Sequence, residues 1–471
     1  MSTEQVYANR YRFFAVGAVG TFMATLDGSI LNVALPTISK ELNCDIHVVA
    51  WVLLAYSLTL VSLMLPFGAL TQIKGYGFAY KFGFIAFMIG SLLCALSHSI
   101  GMLVVARIIQ ATGTAMFAAV GPGMVTTVFP KEERGKGIGL MVMMVSAGFM
   151  VGPPVGGFIL KYWPWQSLFL INLPIGLFGL YMVARYFRLL EWRPSARTLP
   201  LLGAASIAVA LVSLVFGLNL LHDHLLSDWQ VWLAALISAG AFALFVYAES
   251  RSENVLIGLT IFKNRQFSGA IAAQTAHFVA SSGPFVLLPF YLQNVRHLEP
   301  NQVGLYLVIV PIAMFTFAPL AGRLSDKIGF SILTIVGMIG LAGGLFMLSL
   351  LDINSTGAYV VLSLAVVGSG VGLFSTPNSS AMMGAVREDQ RAVTSSILAT
   401  NRNIGMSVGV ALATGLFSYF QSKYSALGDE QSIFMLSYRP VIYVGIAIAL
   451  VGLLLCLVRS DTSRKRVDTT A

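Results

Sequence analysis

Along the chain, apolar stretches long enough to cross a bilayer as helices alternate with short polar breaks. They fall near 13–38, 49–72, 79–97, 101–128, 135–160 and 165–187, then 198–220 and 229–248, then 267–293, 302–322, 330–350, 357–384, 394–420 and 437–458. The pattern predicts an all-α integral membrane protein with fourteen transmembrane helices, grouped six, two and six. The expected organisation is a six-helix bundle over 1–190, two inserted helices with linkers over 191–264, a second six-helix bundle over 265–458 and a tail over 459–471. The run that starts at Phe13 contains Asp27 and lacks a small-residue cleavage site, so it reads as a retained first span rather than a leader.

Composition agrees with this. Of 471 residues 57% are hydrophobic and 10% charged, against roughly 25% charged in a soluble domain, which excludes a soluble enzyme. The formal charge of +9 is explained by orientation in the bilayer rather than by nucleic acid. When the fourteen spans are threaded, twenty-two Lys and Arg fall on the side of both termini and five, Lys40, Lys161, Arg296, Lys423 and Arg439, on the other. That asymmetry predicts cytoplasmic termini in a plasma, or inner, membrane. Cys44, Cys94 and Cys456 are scattered and imply neither disulfides nor a metal cluster. His222 and His224 fall in a predicted outer loop with no third ligand nearby. No GxxxxGK[ST] phosphate loop is present, so no cofactor or ATP site is expected and an ion gradient is the expected energy source.

The two groups of six are related. Gly68 to Gly75 read GALTQIKG and Gly322 to Gly329 read GRLSDKIG, each between the second and third helices of its group, and EERGKG at 132–137 aligns with DQRAVT at 389–394. Such repeats are a mark of secondary transporters.

Several blocks then carry a family resemblance. They are LDGSILNVALP at 26–36, RIIQATG at 107–113, GFMVGPPVGG at 148–157, WPWQSLFLINLPIG at 163–176, LPFYLQNV at 288–295, TPNSSAMMGA at 376–385 and RNIGMSVGVA at 402–411. Together they resemble the major facilitator superfamily, and more narrowly its fourteen-helix drug:proton antiporter family. The resemblance implies proton-coupled export of amphiphilic small molecules by alternating access, with no enzymatic step. It implies gating at Gly68, Gln72, Gly75, Gly322, Arg323, Asp326 and Gly329, and at the Gly-Pro-rich segment with Gly148, Gly152, Pro153, Gly156 and Gly157. One position departs from the pattern: Gln72 stands where the family usually has an acid, while the second copy keeps Asp326. Gln72 can still hydrogen-bond, so a weaker latch is expected in the first half. A periplasmic adaptor is a further candidate partner, besides the substrate, protons and the lipid bilayer.

Physical reasoning on individual residues points the same way. Asp27 is the one acid threaded deep into a span, where a charge costs roughly 2.5 to 3.5 kcal/mol on insertion scales. Its carboxylate can take up and release a proton, whereas Arg107 stays charged and can only tune or position it. The alternative for this pair is structural, a carboxylate pinned by Asn32 or backbone and an arginine knitting the first and fourth helices. Arg402 is a second intramembrane cation with structural and functional readings evenly matched. Asn32, Tyr56, Gln110, Asn172, Gln274, Tyr291, Gln293 and Asn378 are candidates for a central substrate cavity, each with interhelical glue as the plain alternative. His277 reads as a helix contact. The Gly-Pro segment is expected to make a kinked, tight contact between the bundles, and Gly368, Gly370 and Gly372 to be packing. Two competing readings stay open: an exporter of a specific anionic metabolite or lipid on the same fold, with Arg107 and Arg402 binding the anion, and a non-transporting membrane sensor.

Overall fold

The computed structural model describes residues 3–44, 46–187, 198–223, 229–252, 255–425 and 428–467; Arg188, Arg193 and Arg197, three of the twenty-two basic residues threaded to the side of the termini, and His224 lie outside them, as does the side chain of His222. Among the described residues there are helices and turns but no strands. After a short helix α1 (Thr3–Ala8), the first group comprises α2 (Arg10–Glu41), α3 (Ile46–Lys74), α4 (Tyr76–Ala95), a fourth crossing divided into α5 (Ile100–Ala118) and α6 (Gly121–Val128), α7 (Arg134–Tyr162), and a sixth made of α8 (Ser167–Leu170) and α9 (Asn172–Tyr186). The middle pair is α10 (Leu201–Asp223) and α11 (Trp229–Arg251). The last group is α12 (Arg265–Phe290), a crossing divided into α13 (Pro300–Leu307) and α14 (Ile309–Ile328), α15 (Phe330–Ser349), α16 (Gly357–Gly384), α17 (Arg391–Tyr424) and α18 (Glu430–Val467). Fourteen of these crossings are long and apolar enough to span a membrane.

Local sequence sets the boundaries. Asn264 starts α12 by accepting hydrogen bonds from the amides of Gln266 and Phe267, Ser99 starts α5 through Met102, and Thr356 starts α16 through Tyr359. The fourth crossing breaks at Ala119 and Val120 because Pro122 follows and has no amide hydrogen to donate. Where apolarity ends at Val458, α18 does not: it continues to Val467, since Arg and Lys are good helix formers once the chain leaves the bilayer.

The repeat is visible in the backbone. Gly75 and Gly329, at matching places before α4 and α15, have φ of 86° and 83°, a conformation open to glycine at little cost. Within each group the third and fourth crossings meet through glycines: Gly113 lies against the backbone of Phe87 and Gly83, and Gly370 against that of Leu341 and Gly337. Likewise Gly90 lies on Gln110 and Gly344 on Val367.

Contacts between the two groups concentrate on the side of the membrane where both termini lie. Asp326 at the end of α14 accepts hydrogen bonds from the amides of Gly135 and Lys136 at the start of α7, at 2.7 and 2.9 Å, which places its carboxylate at a helix N-terminus. Beside it the backbones of Gly135 and Gly322 touch, and Gly139 packs on Ala318 and Pro319. On the other flank Gly68 packs on Ser396, and Arg391 donates to the carbonyl of Thr126 at 3.1 Å. Gln72 is half-buried and makes no hydrogen bond to any described residue, so the expected weaker latch on that flank is a glycine contact instead. Arg323 is exposed.

The Gly-Pro segment requires a correction. Gly148, Gly152 and Gly156 recur every four residues on one face of α7, and that face packs on Thr25, Ser29 and Ile30 of α2, in the same group. Ser29 donates its hydroxyl to the carbonyl of Gly148 at 3.0 Å. The segment therefore seals α7 to α2 rather than one group to the other, and α7 runs through Pro153 and Pro154 as a single helix. Gly157 faces open space.

The middle pair has a definite place. Helix α10 packs against α3 of the first group and α17 of the second, so it lies along their shared seam, with Trp51 of α3 beside Phe216. Glu249, near the end of α11, is buried and accepts the amides of Leu256, Ile257 and Gly258 at 2.9, 2.7 and 2.7 Å, fastening the linker to α12.

The Asp326 contact carries a prediction. An asparagine in its place keeps one acceptor oxygen but loses the charge and one amide bond, a loss of about 1.5 to 3 kcal/mol for a bond to a charged group. A cysteine placed at buried Ser325 should be labelled by a soluble maleimide at least several-fold faster in Asp326→Asn than in its parent.

Candidate proton and substrate site

The first group encloses a polar cluster surrounded by apolar packing. Asp27 of α2 is 4% exposed and Arg107 of α5 is fully buried. An Arg107 Nη1–H donates to Asp27 Oδ2 at 2.6 Å and to Gln110 Oε1 at 2.5 Å. Gln110, one turn along α5, donates from Nε2 to Asp27 Oδ1 at 2.8 Å and to Ser91 Oγ of α4, also at 2.8 Å. Asn172, at the start of α9, donates from Nδ2 to the same Oδ1 at 2.8 Å. Four crossings thus converge around one carboxylate. The Arg107 guanidinium also stacks over the Tyr56 ring, 4.1 Å from its centre, while the Tyr56 hydroxyl meets Thr114 at 2.8 Å.

The geometry has a chemical consequence. Asp27 is surrounded by donors: three N–H groups from three side chains point at its two oxygens. As a carboxylate it accepts them all, but a protonated carboxyl must itself donate. Its new O–H would meet a donor on either oxygen, so protonation requires one amide to turn or a helix to shift. Asn172 is suited to turning, since its Oδ1 has no hydrogen-bond partner among the described residues.

The second group has the same framework without this chemistry. The glycine contacts that match Gln110 with Val367 place Leu345 and Leu348 of α15 where α4 has Ser91 and Cys94, and all three counterparts are buried apolar residues. Among the described residues, the polar cluster belongs to one half only.

Other predicted site residues are elsewhere. Asn32 is exposed and is not among the groups bonded to Asp27; five residues along a helix of 3.6 per turn put it on another face. Gln274 accepts from Asn401, and Asn378 donates to the carbonyl of Ala270 at 3.1 Å, so both tie helices within the second group. Tyr291 and Gln293 are corrected: α12 passes into a π-turn over Tyr291–Val295 at its far end, where Tyr291 donates to the carbonyl of Asp352 and stacks near Tyr438, while Gln293 is exposed. His277 is buried and stacks on Phe374 with 4.3 Å between ring centres. Arg402 is half-buried on α17. A groove of about 310 Å³ lies between the far ends of α12, α17 and α18, lined by Phe290, Phe417, Gln421, Gln431 and Phe434, and takes in none of the predicted cavity residues. Sequence reasoning missed Ser91 as a support of Gln110, and Glu249 as a second buried acid, because only the packing reveals which polar residues share a neighbour.

Comparison with known proteins agrees with the fold. The chain is 32% identical over 446 residues to the riboflavin transporter RibZ of Clostridioides difficile, covering 93% of this chain and 94% of the relative. It is 32% identical over 399 residues to the multidrug resistance protein Stp of Mycobacterium tuberculosis (84% and 73%) and 31% identical over 406 to the methylenomycin A resistance protein of Streptomyces coelicolor (84% and 83%). Among solved structures, the human organic anion transporter MFSD10 superposes with a TM-score of 0.69 at 13% identity, covering 95% of this chain and 99% of that one. The proton:xylose symporter XylE gives 0.64 at 15% identity, covering 94% and 95%. The family model of the Major Facilitator Superfamily matches residues 17–410 and 270–471. The chain is a multi-pass membrane transporter of small molecules and belongs to the Major Facilitator Superfamily.

Proposed function

We propose that this transporter is a proton-coupled antiporter that exports amphiphilic organic molecules across the plasma, or inner, membrane, with both termini in the cytoplasm. The observation that carries the reading is Asp27, a buried carboxylate held by Arg107, Gln110 and Asn172 in one bundle and replaced by an apolar framework in the other. The two six-helix groups rock about a central cavity, and the contacts at Gly135, Gly322 and Asp326 close its cytoplasmic end. From the outer side a proton reaches Asp27, the donors around it lose their common acceptor, and α2, α5 and α9 change their mutual fit. On the cytoplasmic side the proton leaves, the network re-forms, and the cycle is ready for another substrate. Two relatives named for drug or antibiotic resistance support an exporter of foreign compounds.

A carrier dedicated to one metabolite is the second reading, favoured by end-to-end similarity to a riboflavin transporter. The test is in proteoliposomes with a trapped pH dye. Addition of a transported fluorescent amphiphile should move protons opposite to the substrate under a pH gradient, and a sodium gradient alone should drive nothing. Substrate flux without proton movement overturns the coupling. Proton movement with riboflavin alone among a panel of dyes and flavins establishes the dedicated carrier.

A further inference from the structure

Among the described residues Arg402 has no counter-charge. Its side chain is half-buried in α17 and makes neither a hydrogen bond nor an ion pair with any described residue. The helices it could draw on hold no acid: α17 has none from Arg391 to Tyr424, α12 none from Arg265 to Phe290 and α3 none from Ile46 to Lys74. Asp27, the acid of the first bundle's core, is already occupied by Arg107, Gln110 and Asn172.

Its direction follows from its neighbours on α17. Gly405 and Gly409 lie against Thr275, Phe278, Val279 and Ser282 of α12, while Ser396 and Asn403 face Gly68 and Met64 of α3. Arg402 lies between those faces, three turns beyond Arg391 on the same row, and Arg391 points into the other bundle to bond Thr126. Arg402 therefore points to the space between the bundles. Met406, on the next turn of that row, is 43% exposed. The depth can be read along α3: Tyr56, which underlies Arg107, and Met64, which meets Asn403, are eight residues apart, about 12 Å of helix rise. A cation without a described partner thus stands nearer the termini's side of the bundles than the Asp27 cluster, offset from it by about 12 Å of helix rise along α3.

We propose that Arg402 is an anion-recognition point for substrate: the transporter takes amphiphiles with a carboxylate, sulfonate or phosphate group at one end of an apolar body, the anionic group on Arg402 and the body reaching toward Tyr56. A guanidinium in a low-dielectric cavity attracts such a group far more strongly than one in water, and its planar fork matches the geometry of an oxyanion. The inference rests on the transport reading but not on proton coupling, since it concerns binding.

The test is equilibrium binding to the full chain in nanodiscs, with empty discs subtracted, of 1-pyrenebutyrate and its uncharged methyl ester. The wild type should bind the carboxylate at least tenfold more tightly than the ester. Arg402→Gln should bring the ratio to within twofold of unity with ester affinity unchanged, and Arg402→Lys should keep most of the preference. Met406→Glu, which places a carboxylate one turn from an intact Arg402 at an exposed position, should also remove it, so a poorly folding glutamine variant does not decide the matter. A wild-type ratio near one, or a ratio that survives both Arg402→Gln and Met406→Glu, overturns the proposal. Loss of pH-driven flux in Asp27→Asn tests the antiport reading separately.

Discussion

In proteoliposomes carrying Asp27→Asn, efflux of a fluorescent amphiphile driven by an imposed pH gradient should fall to the level of protein-free vesicles, while gradient-free exchange of the same compound continues. The substitution changes one atom in size but removes the proton-exchanging function. The carboxylate accepts N–H groups from Arg107, Gln110 and Asn172 on its two oxygens, and an asparagine offers one oxygen and one NH2 in their place. Its NH2 must oppose either Arg107 or the two amides, just as the O–H of a protonated Asp27 must. The variant therefore imitates the proton-loaded state permanently, with Arg107 left without its anion. Removing one partner of a buried ion pair costs about 3 to 5 kcal/mol when nothing relaxes, and the relaxation available here is the same amide rotation and helix shift proposed for turnover. Exchange that persists without coupling is thus the expected signature. Unchanged gradient-driven efflux would make Asp27 a structural residue and remove the basis for the antiport reading.

How far the sequence foretold this depends on which physical signal each feature leaves. The spans were legible because each needs about 20 consecutive apolar residues, a demand that bilayer thickness imposes whatever the partner helices are. Asp27 and Arg107 were legible as charges in those spans. That Gln110 and Asn172 share a carboxylate was not, since helices apolar on every side carry no sequence mark of which face meets which neighbour. The same ambiguity explains the misplacement of the Gly148–Gly157 contact: glycines spaced by four announce a close approach but not the partner, and Ser29 and Thr25 of α2 proved the complementary surface. Tyr291 and Gln293 misled for another reason. They follow Pro284 and Pro289 on α12, after which the helix loosens into a π-turn, so their periodicity no longer reports the face they occupy.

The closed end of the transporter should be the part most sensitive to a single added methyl group. A Cβ on Gly322 would meet the carbonyl of Gly135 and the amide of Lys136, backbone atoms of a helix in the other bundle that cannot rotate out of the way. Overpacking costs about 1 to 3 kcal/mol, and each 1.4 kcal/mol shifts an equilibrium roughly tenfold. The cost applies only while the two backbones touch, so it destabilises the closed arrangement and leaves the open one unaffected. Gly322→Ala should shift the population by about five- to 150-fold toward an open cytoplasmic end, and Gly322→Val further, with turnover falling as closure becomes the slow step. Spin labels on cysteines replacing exposed Lys131 and Lys327, in a background lacking Cys44, Cys94 and Cys456, would report this as loss of the short-distance population. Gly157→Ala is the matched control: a Cβ there has open space around it, so its distance distribution and transport rate should match the parent. Equal effects from Gly322→Ala and Gly157→Ala would mean that the glycines act through helix flexibility rather than through contact. A larger effect at Gly322 alone assigns closure to the touching backbones of α7 and α14.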